Sequence, residues 1–203
     1  MTVEQIIRFT RSFFPMWRAD REQRYLQMFD LSLRQRIPSL SKGMRSKLML
    51  LLALSHETDL LVLDEPSDGL DAIAVDDMLR EIVSLAAQDG TTVFYSSHQL
   101  EQVEQISDHV AMVDHGRCVV QGAVDDLKEH HKRLHIVLDD DVREPIQWLA
   151  GALSVRREGR TVSILAADNV SALVEQARSL ASSRVELFPV TLKEIFLDYA
   201  RAG

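Results

Sequence analysis

The chain has a single cysteine, Cys118, so no intrachain disulfide can form and a reducing compartment is expected. It also lacks a long apolar run. The longest, over 48–54, falls far short of the roughly 20 residues that cross a bilayer. Any work at a membrane would therefore need another subunit to hold the chain there. Met1-Thr2-Val3-Glu4 offers neither the basic flank nor the apolar core of a signal peptide. Internal repeats and low-complexity tracts are absent. Positive charge is in deficit: 23 Lys and Arg face 31 Asp and Glu, for a net charge of −8. That balance argues against a protein whose main task is to grip a nucleic-acid backbone. What is present is a globular composition, 46% hydrophobic and 27% charged. Its 203 residues suffice for one large or two small domains with a buried core.

Hydrophobic periodicity orders the chain. Thr2-x-x-Gln5 forms a capping-box pattern ahead of Ile6, Phe9, Phe13 and Phe14 at helical spacing, and Pro15 ends or kinks that helix. Residues 21–29 read as a second helix and 33–40 as a short connection. Residues 44–54 are helical by propensity and apolar nearly all round, so burial is expected. The apolar run 60–63 suits a parallel strand covered on both faces. A helix over 72–88 stops at Asp89-Gly90, followed by a strand over 91–95 and a short helix over 99–106. Strands at 109–114 and 117–121 join through His115-Gly116. This alternation is the grammar of a doubly wound α/β sheet.

Composition shifts near Asp125, and 127–133 reads as a linker. Beyond it come a strand over 134–138, a helix over 145–153, strands at 155–157 and 161–165 around Gly159, a helix over 170–180 and an extended 185–187. That order, β-α-β-β-α-β, is the ferredoxin-like pattern. Thr191-x-x-Glu194 caps a last helix through Tyr199.

Three strings carry chemistry. Leu40-Ser41-Lys42-Gly43-Met44 precedes the apolar helix; Ser41 can cap it, and Gly43 lets a ligand approach a helix N-terminus with free amides. On its own this string reads as an ordinary capped helix start. Leu60-Leu61-Val62-Leu63-Asp64-Glu65-Pro66 sets two carboxylates at the carboxyl edge of a parallel strand, where open α/β sheets bind ligands. Asp64 would hold Mg²⁺ and Glu65 would orient or deprotonate a water. Tyr95-Ser96-Ser97-His98 puts a histidine at the end of the next strand, a weak signal alone. His131 and His135, four apart, could chelate a metal on a helix. No third ligand accompanies them and Lys132 and Arg133 intervene, so a solvated face is expected.

Together these strings resemble the ABC ATPase family. Leu40 to Met44 looks like its signature motif, with Lys42 and Met44 in place of the commoner Gly and Gln. Asp64 and Glu65 match the Walker B aspartate and the catalytic glutamate, Ser67-Asp68-Gly69-Leu70-Asp71 resembles the D-loop, and His98 matches the switch histidine. The lysine-bearing signature and the extra C-terminal domain resemble ATP-binding subunits of ABC-2-type exporters. The resemblance implies a partial P-loop NTPase sheet over 1–126, with a helical signature subdomain (1–56) and a Walker B to switch-histidine sheet (57–126). A small α+β, ferredoxin-like domain over 134–203 follows. It implies catalytic Glu65 and His98, a metal ligand in Asp64, and nucleotide contacts from Ser41, Lys42, Gly43, Met44 and Asp71, with ATP and Mg²⁺ as cofactors. It further implies transmembrane permease subunits and a second nucleotide-binding subunit as partners. The subunit would be cytoplasmic and peripheral at the inner face of the membrane, in contact with it only through those partners.

The family's phosphate-binding Gly-x-x-x-x-Gly-Lys-Ser/Thr occurs nowhere in these residues. The expectation is an N-terminally truncated ATPase subunit, and the resemblance leaves open whether this chain turns ATP over by itself. A catalytically inert regulatory or interaction module, lending its signature motif in trans, is the alternative. In either case apolar faces of the two parallel strands would be partly uncovered. Phe9, Phe13, Phe14 and Trp17 are docking candidates for membrane partners, with core packing the expected role.

Overall fold

The computed structural model describes residues 1–138, 151–179 and 184–202. The chain divides into two units, Met1–Gln99 and Leu100–Gly203.

The first unit opens with α1 (Val3–Arg11), where the expected capping box forms: Gln5 N donates to Thr2 Oγ1 and Thr2 N to Gln5 Oε1. The helix stops at Ser12, ahead of Pro15. Next come α2 (Ala19–Met28), a 3₁₀ turn (Ile37–Ser39) and α3 (Lys42–Leu54). Both α1 and α2 pack on α3. Tyr25, Phe29, Leu51 and Leu54 are buried there.

Then β1 (Leu60–Asp64) and β2 (Thr92–Ser96) form a two-stranded parallel sheet, connected by α4 (Ala72–Asp89). Gly90, at φ +70°, supplies the left-handed residue that ends α4.

Three expectations about this unit are corrected. Helix α3 is not buried all round: Leu48, Leu51 and Leu54 face inward, but Met49 is 68% exposed. Nor is β1 covered on both faces. Leu61 and Leu63 are buried, while Val62 and its cross-strand neighbour Phe94 are 62% and 65% exposed, because no further strand or helix of the described residues covers that face. The uncovered apolar faces expected from the missing phosphate-loop string are thus present. Third, Phe9, Phe13 and Phe14 are exposed rather than core residues; Phe14 stacks on the His56 ring at 4.0 Å and lies 6.5 Å from the Trp17 ring.

The second unit begins with α5 (Leu100–Ile106), then a hairpin of β3 (His109–Asp114) and β4 (Arg117–Ala123). This hairpin forms its own antiparallel sheet rather than extending β1–β2. The run 127–133 is not a linker. It completes α6 (Val124–His130) and starts β5 (His131–Val137).

Strand β5 lies in a four-stranded sheet with β6 (Ala152–Glu158), β7 (Thr161–Ala167) and β8 (Arg184–Phe188), in the order β6-β7-β5-β8 and antiparallel throughout. First and third strands at the centre, second and fourth at the edges, is the ferredoxin-like arrangement. Of the helix expected over 145–153, residues 145–150 lie outside the described residues. Gly151 is in a turn and Ala152 already starts β6.

Two layers bury this sheet. Leu134, Ile136, Val162 and Ile164 pack with Leu173 and Ala177 of α7 (Val170–Ser179). Leu165 packs with Ile195 of α8 (Leu192–Ala202), along with Met112 and Val120 of the hairpin. Thr191 and Glu194 form the expected capping contacts at the start of α8.

His131 is neither solvated nor helical: it is buried on β5, with Nδ1 2.7 Å from the Leu127 carbonyl and Nε2 3.2 Å from the Tyr199 hydroxyl. That burial pushes its pKa down, since a charged imidazolium would lose solvation.

Asp198, 1% exposed, is held between Arg133, at 2.7 Å, and Arg156. Removing one member of a buried ion network strands the charge of the others. Asp198→Ala is therefore expected to cost about 3 kcal/mol or more of stability, read by urea unfolding. A change below about 1 kcal/mol would mean the network is effectively solvated.

Candidate functional site

Parallel pairing in register aligns the ends of β1 and β2, so Asp64 sits opposite Ser96. The Ser96 hydroxyl donates to Asp64 Oδ1 at 2.5 Å. Ser96 Oγ in turn accepts from the Glu65 amide at 3.1 Å, and the Ser96 carbonyl accepts from that amide at 3.2 Å. Ser96 thus ties the two acids together.

Glu65 has φ +46°, a left-handed conformation that costs a non-glycine residue about 1–2 kcal/mol. This conformation reverses the chain directly after the strand, and Asp68 N closes the turn on the Glu65 carbonyl at 3.0 Å. The Glu65 carboxylate lies 2.8 Å from His98 Nδ1. Asp64 and His98 are exposed and Glu65 is half-buried, so the group opens to solvent. The half-buried Tyr95 beside it has its pKa pushed up to about 12 by burial, with the Glu65 charge adding to the shift.

Ser41 caps α3 as expected, accepting from Met44 N at 3.2 Å. Gly43 does not face open space. A Cβ added there would lie 2.6 Å from the Gly69 carbonyl oxygen, so what approaches its backbone is the loop that follows β1. Gly69 has φ +78°, and the stem of Lys42 covers it.

Polar contacts complete the clamp between the first turn of α3 and that loop. Lys42 pairs with Asp68 at 2.8 Å, Lys47 pairs with Asp71 at 2.8 Å, and the Ser46 hydroxyl donates to the Asp68 carbonyl at 2.8 Å. Asp71 also caps α4 by accepting from Ala74 N at 2.9 Å. A side-chain hydrogen bond from its lysine holds each of Asp68 and Asp71 below the usual carboxylate range.

Of the eight residues singled out in the sequence, Asp64, Glu65 and His98 therefore meet at one sheet edge. Lys42, Gly43 and Asp71 meet at the clamp, where Ser41 and Met44 form the helix start. Met44 turns its sulfur toward Gln35 Nε2, at 3.8 Å. Sequence reading passed over Ser96 and Lys47. Only the cross-strand register and the packing of α3 reveal them.

The acid pair suits a hard divalent cation. Mg²⁺ keeps several waters and takes one or two protein carboxylates beside phosphate oxygens. Among the described residues no three His, Cys, Asp or Glu side chains converge to make an all-protein cage. No helix of the described residues is long and apolar enough to cross a membrane.

Comparison with known proteins places similar chains in one class. The homologues of this chain are ATP-binding proteins of ABC transporters. An uncharacterized ABC transporter ATP-binding protein of Alkalihalophilus pseudofirmus is 31% identical over 168 residues, 81% of this chain and 62% of that protein. The daunorubicin resistance ATP-binding protein DrrA3 of Streptomyces coeruleorubidus is 32% identical, over 88% of this chain and 58% of its own length. The bacitracin transport ATP-binding protein BcrA of Bacillus licheniformis is 41% identical over 46% of this chain and 30% of its own.

A solved ATP-binding subunit of an ABC transporter superposes with a TM-score of 0.57 at 27% identity, covering 64% of this chain and 55% of that one. The family described as "AAA domain, putative AbiEii toxin, Type IV TA system" matches residues 22–104. The chain spans from about a third to about three fifths of the length of these curated relatives.

Two outcomes test this geometry. Gly43→Ala places a methyl against a backbone carbonyl that cannot swing away, so a loss of about 1–3 kcal/mol is expected in chemical denaturation; an unchanged midpoint would contradict the close approach. Because the Asp68 and Asp71 pKa values are depressed, their lysine contacts are in place above the ordinary aspartate value and are lost as pH falls through the lowered one. Carboxylate titration by NMR should place both midpoints below that of an unpaired aspartate, with Lys42→Ala returning only Asp68 to it.

Proposed function

We propose that this chain is the signature-to-switch-histidine part of an ATP-hydrolysing ABC-type exporter subunit, coupling hydrolysis to export through separate transmembrane permease subunits. The observation that carries the reading is the meeting of Asp64, Glu65, Ser96 and His98 at one strand edge. In this reading residues 1–126 belong to the nucleotide-binding domain and 134–203 to an accessory α+β domain. The subunit works in the cytoplasm, peripheral at the inner face of the membrane.

Each residue then has a task. Asp64 holds Mg²⁺ directly or through water, oriented by the Ser96 hydroxyl. The bound ion neutralises phosphate charge. Glu65 accepts a hydrogen bond or a proton from water, and His98 orients the Glu65 carboxylate through Nδ1. The amides of Lys42 and Gly43 precede the first intrahelical bond of α3 and carry the positive end of its dipole. With Ser41, Met44 and Asp71, they face the nucleotide of a second nucleotide-binding subunit.

These residues contain no Gly-x-x-x-x-Gly-Lys-Ser/Thr, so the grip on ATP phosphates comes from residues other than these. That same fact favours the second reading, an inert module lending its signature in trans.

The two readings separate in one assay, the ATPase rate of an intact partner subunit mixed with this chain. Gly43→Asp, a carboxylate at the helix start, is expected to lower the rate at least tenfold under both. Equal rates with and without the substitution would sink the trans contribution. Glu65→Gln lowers turnover about a hundredfold if this chain performs hydrolysis, and leaves it unchanged if it does not. Independently, Ser96→Ala frees the Asp64 carboxylate and is expected to weaken Mn²⁺ binding, read by EPR, about tenfold.

A further inference from the structure

Helix α8 is held at both ends by different parts of its unit. Toward its C-terminal end, Asp198 lies between Arg133 of β5 and Arg156 of β6, and the Tyr199 hydroxyl lies 3.2 Å from His131 Nε2. These contacts fix the helix to the four-stranded sheet. Its first turn meets α5 instead. Leu192 and Ile195 are fully buried, and Val103 of α5 packs against the cluster they belong to.

A carboxylate completes that junction. A helix start leaves its first amides without an intrahelical partner. In α8 the Glu194 amide donates to Thr191 Oγ1 and the Thr191 amide to the Glu194 carboxylate. The amide of buried Leu192 donates at 3.0 Å to Glu104 Oε2, a side chain of α5. Glu104 thus caps α8 from another helix, with its negative charge at the positive end of the α8 dipole. The other oxygen of the same carboxylate accepts from Lys128 Nζ of α6 at 2.7 Å. Glu101, one turn earlier on α5, pairs with Lys193 at 2.7 Å. That second pair is exposed and adds little by itself.

The helix held in this way follows the candidate site in the chain. His98, Gln99 and Leu100 are consecutive, and α5 begins at Leu100. No more than about 7 Å of backbone can separate His98 from the first residue of α5. The link is also turned and anchored. Gln99 N donates to Ser97 Oγ at 3.0 Å, and Gln99 Nε2 donates to the buried Ser67 hydroxyl at 3.4 Å. A rotation of α5 is therefore passed to the backbone of His98, whose ring must stay 2.8 Å from Glu65 to keep its contact.

We propose that Glu104 is a positioning residue for the contact between His98 and Glu65, fastening α5 to the start of α8 so that the C-terminal sheet bears on the candidate site. The meaning of that contact for hydrolysis rests on the ATPase reading given above. The fastening itself does not, since it is read from the imidazole rather than from turnover.

The test follows the His98 imidazole cross-peak in a proton–carbon correlation spectrum of the full chain. Glu65→Ala marks where the peak lies when the contact is lost. Glu104→Ala is expected to carry the peak about half of that distance or more, because fast exchange between held and released states reports their populations. Glu104→Gln keeps an oxygen for the Leu192 amide and is expected to return most of the shift. Lys128→Met removes only the α6 contact and is expected to leave the peak in place. An unmoved peak in a Glu104→Ala chain that still unfolds cooperatively overturns the proposal. So does an equal displacement by Lys128→Met, which would put the hold in α6. If Glu104→Ala does not fold, the exposed pair decides. Lys193→Glu is expected to displace the peak by repelling Glu101, and adding Glu101→Lys to return it; a peak that ignores both is again fatal. Turnover with Glu65→Gln decides the ATPase reading separately, so either can fail alone.

Discussion

The backbone of Gly43 lies so close to the Gly69 carbonyl that no methyl group would fit between them, and much of the candidate site depends on that approach. It brings the first turn of α3 onto the loop after β1, where Lys42, Ser46 and Lys47 can each reach a partner. The loop in turn delivers Asp71 to the start of α4, and α4 leads back to β2. Helix start, acid-bearing loop and strand end are therefore one mechanical sequence. A displacement at α3 must be felt at Asp68 and Asp71, because the contact between them is backbone against backbone and has no flexible side chain to absorb it.

A second constraint governs the acids. Glu65 adopts a left-handed backbone that is unfavourable for any residue with a side chain. Three contacts from the end of β2 and the residues just after it hold the turn region: the Ser96 hydroxyl and carbonyl on the Glu65 amide, and His98 on its carboxylate. The conformation aims the Glu65 side chain away from the strand direction while Asp64 remains on the strand itself. Two adjacent acids thereby acquire different environments, one bound to a serine hydroxyl and the other to an imidazole, which is what a division of labour between metal holding and water handling requires.

Much of the local structure was legible in the residues. Thr2 and Gln5 cap α1, Asp89-Gly90 ends α4, His115-Gly116 turns the hairpin, and Thr191 and Glu194 start α8, because caps and turns are decided within four or five residues. The acid pair was legible for the same reason: an apolar strand that ends in two carboxylates is a local pattern. Burial was read less well. The apolar stretches 44–54 and 60–63 and the aromatic residues of 9–14 looked like core. Met49, Val62, Phe9 and Phe13 are nonetheless exposed, since burial depends on what other elements come to lie against a face. His131 failed in the opposite direction, polar neighbours in sequence concealing a buried strand position.

The sequence by itself determined which residues can bear charge, cap helices and end strands, and so which eight side chains were candidates for chemistry. Only the tertiary structure decided how they are grouped. Asp64, Glu65 and His98 share an edge because two strands offset by 32 residues pair in register, bringing Ser96 between the acids. Gly43 serves a backbone contact, and Lys42 and Asp71 serve a clamp, because α3 packs onto a loop more than 20 residues away in the chain. Contacts at that separation follow from sheet register and helix packing, which no short stretch of residues specifies.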